Sequence, residues 1–258
     1  MAVLVTGGAR SGKSRFAETY AIRLASRGIY VATAQPLDDE MAQRVRAHRE
    51  QRRRSGFAWE TIEEPLDLAG LLDRLAAGQP ESESGSRNIR QPSSGALMEQ
   101  QPSSDARTDL KPPAGTRSAR QPVSAGRANH PADPGTQTAH PVVLVDCLTL
   151  WLTNQLLAVS PDGGANSARV EREMDERVEQ LADAVRRFPH PLVLVTNEVG
   201  YGIVPETALG RQFRDAAGRM NQRLAGICDQ MFLVVSGIPV ELKHIAFRMD
   251  DFAGLPTE

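Results

Sequence analysis

Gly7-Gly8-Ala9-Arg10-Ser11-Gly12-Lys13-Ser14 follows the apolar run Ala2-Val3-Leu4-Val5 and opens a segment of helical periodicity. The spacing G-x-x-x-x-G-K-[ST] between a buried strand and a helix is that of a phosphate-binding loop. Several negative charges packed into a polyphosphate need many donors in a small volume. Backbone N–H groups at a helix N-terminus supply them. Glycines at 7, 8 and 12 permit the backbone angles and the close approach that such wrapping requires. In this pattern Lys13 reaches the β- and γ-phosphates, and Ser14 offers its hydroxyl to Mg²⁺. The stretch from Gly7 to Ser14 therefore predicts a nucleoside triphosphate site at the start of an α/β domain.

The chain beyond it is compatible with one such domain. It has 258 residues, a formal net charge of −2 and 5% aromatic residues. That balance argues against a nucleic-acid binder, which carries a basic surplus. Cys147 and Cys228 stand far apart beside apolar residues, so no metal spacing can be built from them and buried free thiols are expected. The first strand starts at residue 2, leaving no room for a leader, and no apolar run reaches membrane-spanning length. A cytoplasmic protein with no membrane insertion is the expectation.

Phe16, Tyr20 and Leu24 recur every four residues, predicting a half-buried helix that Gly28 ends. Ile29-Tyr30-Val31-Ala32 reads as a buried strand, with Thr33-Ala34-Gln35 at its C-terminal edge, where an open parallel sheet binds ligands. Asp38-Asp39-Glu40 start another helix, as its dipole favours, and it runs to about Arg54. Met41, Val45 and His48 share one face of it, and arginines dominate the rest. By composition alone those arginines are a solvated face and His48 an ordinary side chain.

From Gln79 to His140 the character changes: no aromatic residue occurs, and Pro, Ser, Gly, Gln, Arg and Ala dominate. A loose repeat appears as Gln91-Pro92-Ser93-Ser94, Gln101-Pro102-Ser103-Ser104 and Gln121-Pro122-Val123-Ser124. Such composition buries too little apolar surface to offset the entropy of ordering. It reads as a disordered surface insertion at 79–140 interrupting a single domain, since loop-closure cost grows only logarithmically with length. Val142-Val143-Leu144-Val145-Asp146 restores order, with the carboxylate at a strand tip as a candidate Mg²⁺ holder. Helices are predicted over 148–159 and 168–188, and a strand at 192–196. That strand runs into the glycine-rich loop Asn197–Glu206, a second candidate site loop. A helix with Leu209, Phe213, Met220, Leu224 and Ile227 inward follows, then strands at 231–235 and 239–245.

Taken together, GGARSGKS (7–14), ATAQPLDDEMAQRVRAHR (32–49), TIEEP (61–65), the Asp146 strand, VTNEVGYGIVPE (195–206), FRDAAGRMNQRLA (213–225) and VVSGIP (234–239) resemble one family. It is the bifunctional adenosylcobinamide kinase / adenosylcobinamide-phosphate guanylyltransferase family of cobalamin biosynthesis. The resemblance covers nearly all the chain outside 79–140. It implies a P-loop NTPase fold, a RecA-like three-layer sandwich with a mostly parallel sheet, assembled as a homo-oligomer, a trimer. It implies phosphorylation of adenosylcobinamide with ATP or GTP, and then transfer of GMP from GTP to the new phosphate through a guanylylated histidine. The position matching that histidine is His48. Gly7 to Ser14, Thr33, Ala34, Gln35, Arg49, Glu50, Gln51, Arg52, Glu63 and Asp146 match nucleotide-contacting positions, and Ser14 and Asp146 match the Mg²⁺ site. The triplet Arg52-Arg53-Arg54 is more basic than that pattern. The residue types are consistent: a neutral imidazole is nucleophilic near pH 7, and arginines stabilise charge on phosphoryl oxygens.

Three other readings compete. A P-loop small-molecule kinase would use Lys13, Ser14 and Asp146 and leave His48 idle. A GTP-dependent switch would need an Asn-Lys-x-Asp element, which Asn197-Glu198-Val199-Gly200 does not supply. A DNA-binding ATPase is opposed by the charge balance and by the lack of aromatic platforms.

Overall fold

A computed structural model describes residues 1–35, 50, 52–78, 138–160 and 167–247. The chain divides into a unit of residues 1–81 and 134–258 and a second of residues 82–133. The second lies outside the described residues, as does most of the 79–140 stretch. Among the described residues seven strands run through the first unit: β1 (Ala2–Thr6), β2 (Arg27–Ala32), β3 (Ala58–Glu63), β4 (Val142–Asp146), β5 (Leu192–Val195), β6 (Gln230–Val235) and β7 (Ile238–Glu241). They form one sheet in the order β3-β2-β4-β5-β1-β6-β7. Only β7 is antiparallel, to β6; the remaining pairs are parallel. Central parallel strands are buried on both faces, which is why β1, β4 and β5 read as unbroken apolar runs rather than alternating ones. Val3, Leu4 and Val5 are fully buried, each contributing roughly 2 kcal/mol.

Helix α1 (Lys13–Leu24) covers one face, where Ala17 and Ala21 meet Val3, Val5, Tyr30, Leu144 and Val193. The other face carries α2 (Leu68–Ala76), α3 (Leu148–Val159), α4 (Ser167–Arg187) and α5 (Ala208–Ile227). The result is a three-layer α/β arrangement with a mostly parallel sheet. The neighbours β1 and β5 send their chains to opposite faces, β1 into α1 and β5 into α5. A crevice therefore opens between their C-terminal ends, the place where such sheets bind ligands.

Several boundaries differ from the periodicity. Helix α1 ends at Leu24, and Gly28 lies inside β2 rather than terminating a helix. Its lack of a side chain serves packing: a Cβ there would stand 2.4 Å from the Trp59 ring. The last predicted strand stops at Glu241. That carboxylate accepts from the N–H groups of Lys243 and His244 and starts a single helical turn, α6 (Leu242–Ile245). Residues 138–140, assigned by composition to the insertion, contact the domain. Thr138 N–H donates to the Leu24 carbonyl at 3.2 Å. The His140 ring stacks on His190 with centroids 4.1 Å apart. Cys147 and Cys228 are both buried and free.

The candidate nucleotide site

The loop from Gly7 to Gly12 joins β1 to α1 at the crevice. Arg10 and Gly12 take positive φ, 57° and 92°, and Gly7 lies so close to β6 that a Cβ would sit 2.5 Å from the Val234 carbonyl oxygen. Ser11 braces the loop from both sides: its N–H donates to Gly8 O at 3.2 Å and its carbonyl accepts from Gly237 N–H at 2.8 Å. Gly12 caps α1 with no side-chain bond, so the first-turn N–H groups of that helix are offered to an anion. Lys13 is buried, with Nζ donating to Gly8 O at 3.2 Å. Burial lowers its pKa, while the charges of Cys147 and Asp146 oppose the shift. Ala9 is exposed and Ser14 half-buried.

Asp146 ends β4, and the order β4-β5-β1 leaves one strand, β5, between its tip and the strand that leads into the phosphate loop. The Tyr30 hydroxyl donates to Asp146 Oδ2 at 3.0 Å, which orients the carboxylate. Ser14 and Asp146 together present a hydroxyl and a carboxylate. Among the described residues no cluster of three or more His, Cys, Asp or Glu could hold a metal by itself. Two oxygen donors completed by phosphates and water is the arrangement Mg²⁺ prefers, so the residues fit that ion.

Thr33, expected to line the nucleotide, is fully buried and engaged internally. Its hydroxyl donates to Cys147 O at 2.7 Å and accepts from Cys147 N at 3.0 Å; its carbonyl accepts from Asn154 Nδ2 at 3.0 Å. It ties the tips of β2 and β4 together beneath the site. Ala34 is half-buried and Gln35 exposed at the same edge. Glu63 is exposed at the end of β3, and Glu50 pairs with Arg54 at 2.9 Å. His48, Arg49 and Gln51 lie outside the described residues.

Arg52 has a different environment from the rest of the arginine run. It is buried, its guanidinium carbon stands 3.5 Å from the centroid of the Tyr30 ring, and Nη1 faces Glu18 Oε1 at 3.8 Å. That separation exceeds a hydrogen bond, and both atoms lack a hydrogen-bond partner. Neither Tyr30 nor Glu18 was singled out from sequence. Glu18 sits four residues beyond Ser14 on α1, where a carboxylate ordinarily signals a solvated face.

Because the pairing is incomplete, burial dominates at Glu18 and pushes its carboxyl from 4.5 up to about 7, against the pull of Arg52 and with the charge of Asp146 adding to the rise. Between those values the native state keeps a proton that the unfolded chain has released. Glu18 therefore costs stability progressively as pH rises from about 4.5 to about 7, the cost being complete above that range. Chemical denaturation at pH 5 and pH 8 should show a larger fall for the parent than for Glu18→Gln. Equal falls would remove Glu18 as the source.

The glycine-rich segment after β5 is tied at its start to the phosphate loop and to α3. Glu198 N–H donates to Gly7 O at 3.2 Å, and Asn197 N–H to Thr149 Oγ1 at 2.8 Å. Two arginines of α5 pair away from this segment. Arg219 pairs with Glu171 and Asp175, and Arg223 with Glu179, all on α4.

The profile of the cobinamide kinase / cobinamide phosphate guanyltransferase family matches residues 3–82 and 128–242. The chain belongs to this family. It is 36% identical over 249 residues to the bifunctional adenosylcobalamin biosynthesis protein CobU of Salmonella typhimurium, covering 94% of this chain and 100% of the relative. To the Escherichia coli protein of the same name it is 35% identical over 246 residues, covering 94% and 100%. The Pseudomonas aeruginosa protein CobP is 32% identical over 240 residues, covering 93% and 96%. As a member of the family the chain is a bifunctional transferase, a cobinamide kinase and cobinamide phosphate guanylyltransferase. The family match accounts for the phosphate loop, and it sets aside the switch and DNA-binding readings. Among the described residues no helix is long and apolar enough to cross a membrane.

Proposed function

We propose that the protein phosphorylates the aminopropanol hydroxyl of adenosylcobinamide with ATP or GTP, and then moves GMP from GTP to that phosphate through His48. The observation that carries the reading is the phosphate loop opening at the uncapped N-terminus of α1, with Lys13 beside Asp146, in a member of this family. In the first reaction the hydroxyl oxygen bonds to the γ-phosphorus. The bond to the β–γ bridging oxygen breaks, the nucleoside diphosphate leaves, and the hydroxyl proton passes to water. In the second a His48 ring nitrogen bonds to the α-phosphorus of GTP and pyrophosphate leaves. A phosphate oxygen of the corrinoid product then attacks the same phosphorus and displaces the imidazole, giving adenosylcobinamide-GDP.

Lys13 and the N–H groups of Gly7 to Ser14 orient the phosphates, and Arg49, Glu50, Gln51, Arg52 and Glu63 complete the nucleotide contacts. Mg²⁺ held by Ser14 and Asp146 neutralises phosphate charge when bound. Thr33 supports the reading as a brace for the strand tips, its hydroxyl engaged by Cys147 rather than offered to the nucleotide. The protein works in the cytoplasm as a homo-oligomer, a trimer. Apolar residues exposed along the β6–β7 edge, Val235, Ile238 and Val240 among them, support an interface there.

Incubation with α-labelled GTP, before any corrinoid is added, tests the reading. Label is expected on the protein, lost in acid and kept in base as a phosphoramidate is. Absence of protein-bound label, with adenosylcobinamide-GDP still formed, would mean that GMP passes directly from GTP to the corrinoid phosphate and would overturn the route through His48.

The low-complexity stretch is proposed to be a dispensable insertion in a single domain. Its composition supports this, and so does the break in the family match between residues 82 and 128. Excision of residues 83–127 with a short Gly/Ser join, which keeps Thr138 and His140, is expected to leave folding and both reactions intact. Insolubility or loss of either reaction would show that the stretch contributes to the domain.

A further inference from the structure

The loop after β5 is fixed at both ends and apolar at its tip. At its start, besides the bonds to Gly7 and Thr149, the Asn197 carbonyl accepts from Asn221 Nδ2 at 3.1 Å. At its end Arg211 donates to the carbonyls of Pro205 and Glu206 at 3.0 and 2.7 Å, and Thr207 caps α5 by accepting from Gly210 N–H at 3.1 Å. Between these anchors Tyr201 is 88% exposed, Ile203 97% and Val204 59%. One exposed apolar side chain is ordinary. Three within four residues, on a loop so firmly tied, make an apolar surface held in place.

Its location restricts what that surface meets. The loop leaves β5, which lies between β4 with Asp146 and β1 with the phosphate loop. The segment thus borders the crevice, its start bonded to the phosphate loop at Gly7. The β6–β7 edge, also apolar, lies beyond β1 on the side away from Asp146. The acceptor of the family's kinase reaction is a corrinoid, a broad disc with methyl groups on its faces and amide arms around its rim. Such a disc buries apolar surface by lying flat and keeps its amides in water.

We propose that Tyr201, Ile203 and Val204 form the platform on which the corrin macrocycle rests while its hydroxyl-bearing arm enters the crevice beside Lys13. This rests on the kinase reading above for the identity of the ligand. The anchoring of the loop by Gly7, Thr149, Asn221 and Arg211 keeps the platform at a set height over the phosphates, which is the positioning that phosphoryl transfer demands.

Equilibrium dialysis of cobinamide against the full chain, read by its visible absorbance with a nucleotide present, tests binding without turnover. Steady-state kinetics and sedimentation accompany it. Tyr201→Ser/Ile203→Ser is expected to weaken corrinoid binding and raise its KM at least tenfold, with the KM for nucleotide and the sedimentation coefficient unchanged. Tyr201→Phe should stay within about twofold of the parent, because it keeps the apolar ring. Ile203→Ser alone carries the test if the double variant is insoluble, since Ile203 has almost no packing to lose. Parental binding by the serine variants would overturn the proposal, as would a changed sedimentation coefficient with both KM values shifted together, which would make the loop a contact between copies. If the parent binds cobinamide but does not phosphorylate it, the kinase reading fails and the platform stands. If the parent binds none, the platform fails as well.

Discussion

His48→Ala should still convert adenosylcobinamide to its phosphate but form no adenosylcobinamide-GDP, a loss on the order of 10³-fold or more in the second reaction. The asymmetry follows from the chemistry. Phosphorylation moves the γ-phosphoryl group directly between two oxygens and needs only the phosphate loop. Guanylyl transfer by way of a covalent adduct needs a nucleophile with a lone pair, and a neutral imidazole supplies one near pH 7. Mass spectrometry of the parent given GTP should find one added GMP on the peptide containing His48. Wild-type rates of GDP-product formation by the variant would end the assignment of His48. An adduct mapped to another residue would move the nucleophile and leave the covalent route standing.

Asp146→Asn should reduce both reactions, by roughly 10²–10³-fold in kcat, since each develops charge on phosphates at the same crevice. The substitution keeps the shape and a hydrogen-bond acceptor for Tyr30, so the fold is expected to survive. What it removes is the negative charge that favours Mg²⁺ beside Ser14 and opposes the lowering of the Lys13 pKa by burial. The diagnostic is the metal dependence: activity of the variant should climb at Mg²⁺ concentrations that saturate the parent. Full activity at ordinary Mg²⁺ would strike Asp146 from the site. A loss in one reaction alone would mean that the two do not share this carboxylate.

The phosphate loop was legible because its requirements are local. A strand, three glycines, a lysine and a serine at fixed spacing determine a cradle whatever the rest of the chain does. The strands ending at Asp146 and Val195 were legible for a related reason, since a parallel sheet buried on both faces demands continuous apolar runs. Periodicity likewise placed Phe16, Tyr20 and Leu24 of α1 against the core. The same local signals misjudged Gly28, which resembles a helix stop and instead makes room for the Trp59 ring. They also ran the low-complexity stretch as far as His140, because Thr138 and His140 belong to the domain only through partners at Leu24 and His190.

Only the tertiary structure decided which polar residues serve the site and which support it. Thr33 sits where a ligand is expected, yet its hydroxyl is spent on Cys147, 114 positions away in sequence. Arg52 is one of three consecutive arginines, and nothing in that run distinguishes the one that lies over Tyr30 and faces Glu18. Strand order determined that the loop after β5 leaves the sheet between the strand ending at Asp146 and the strand leading into the phosphate loop, and burial showed that its Tyr201 and Ile203 stand exposed. The sequence thus determined the nucleotide cradle, the layered fold and the family, since spacing and hydrophobic period act over a few residues. The partnerships of Glu18, Arg52, Tyr30 and Asp146 came from packing, because burial and charge depend on neighbours that the chain brings together only when the sheet forms.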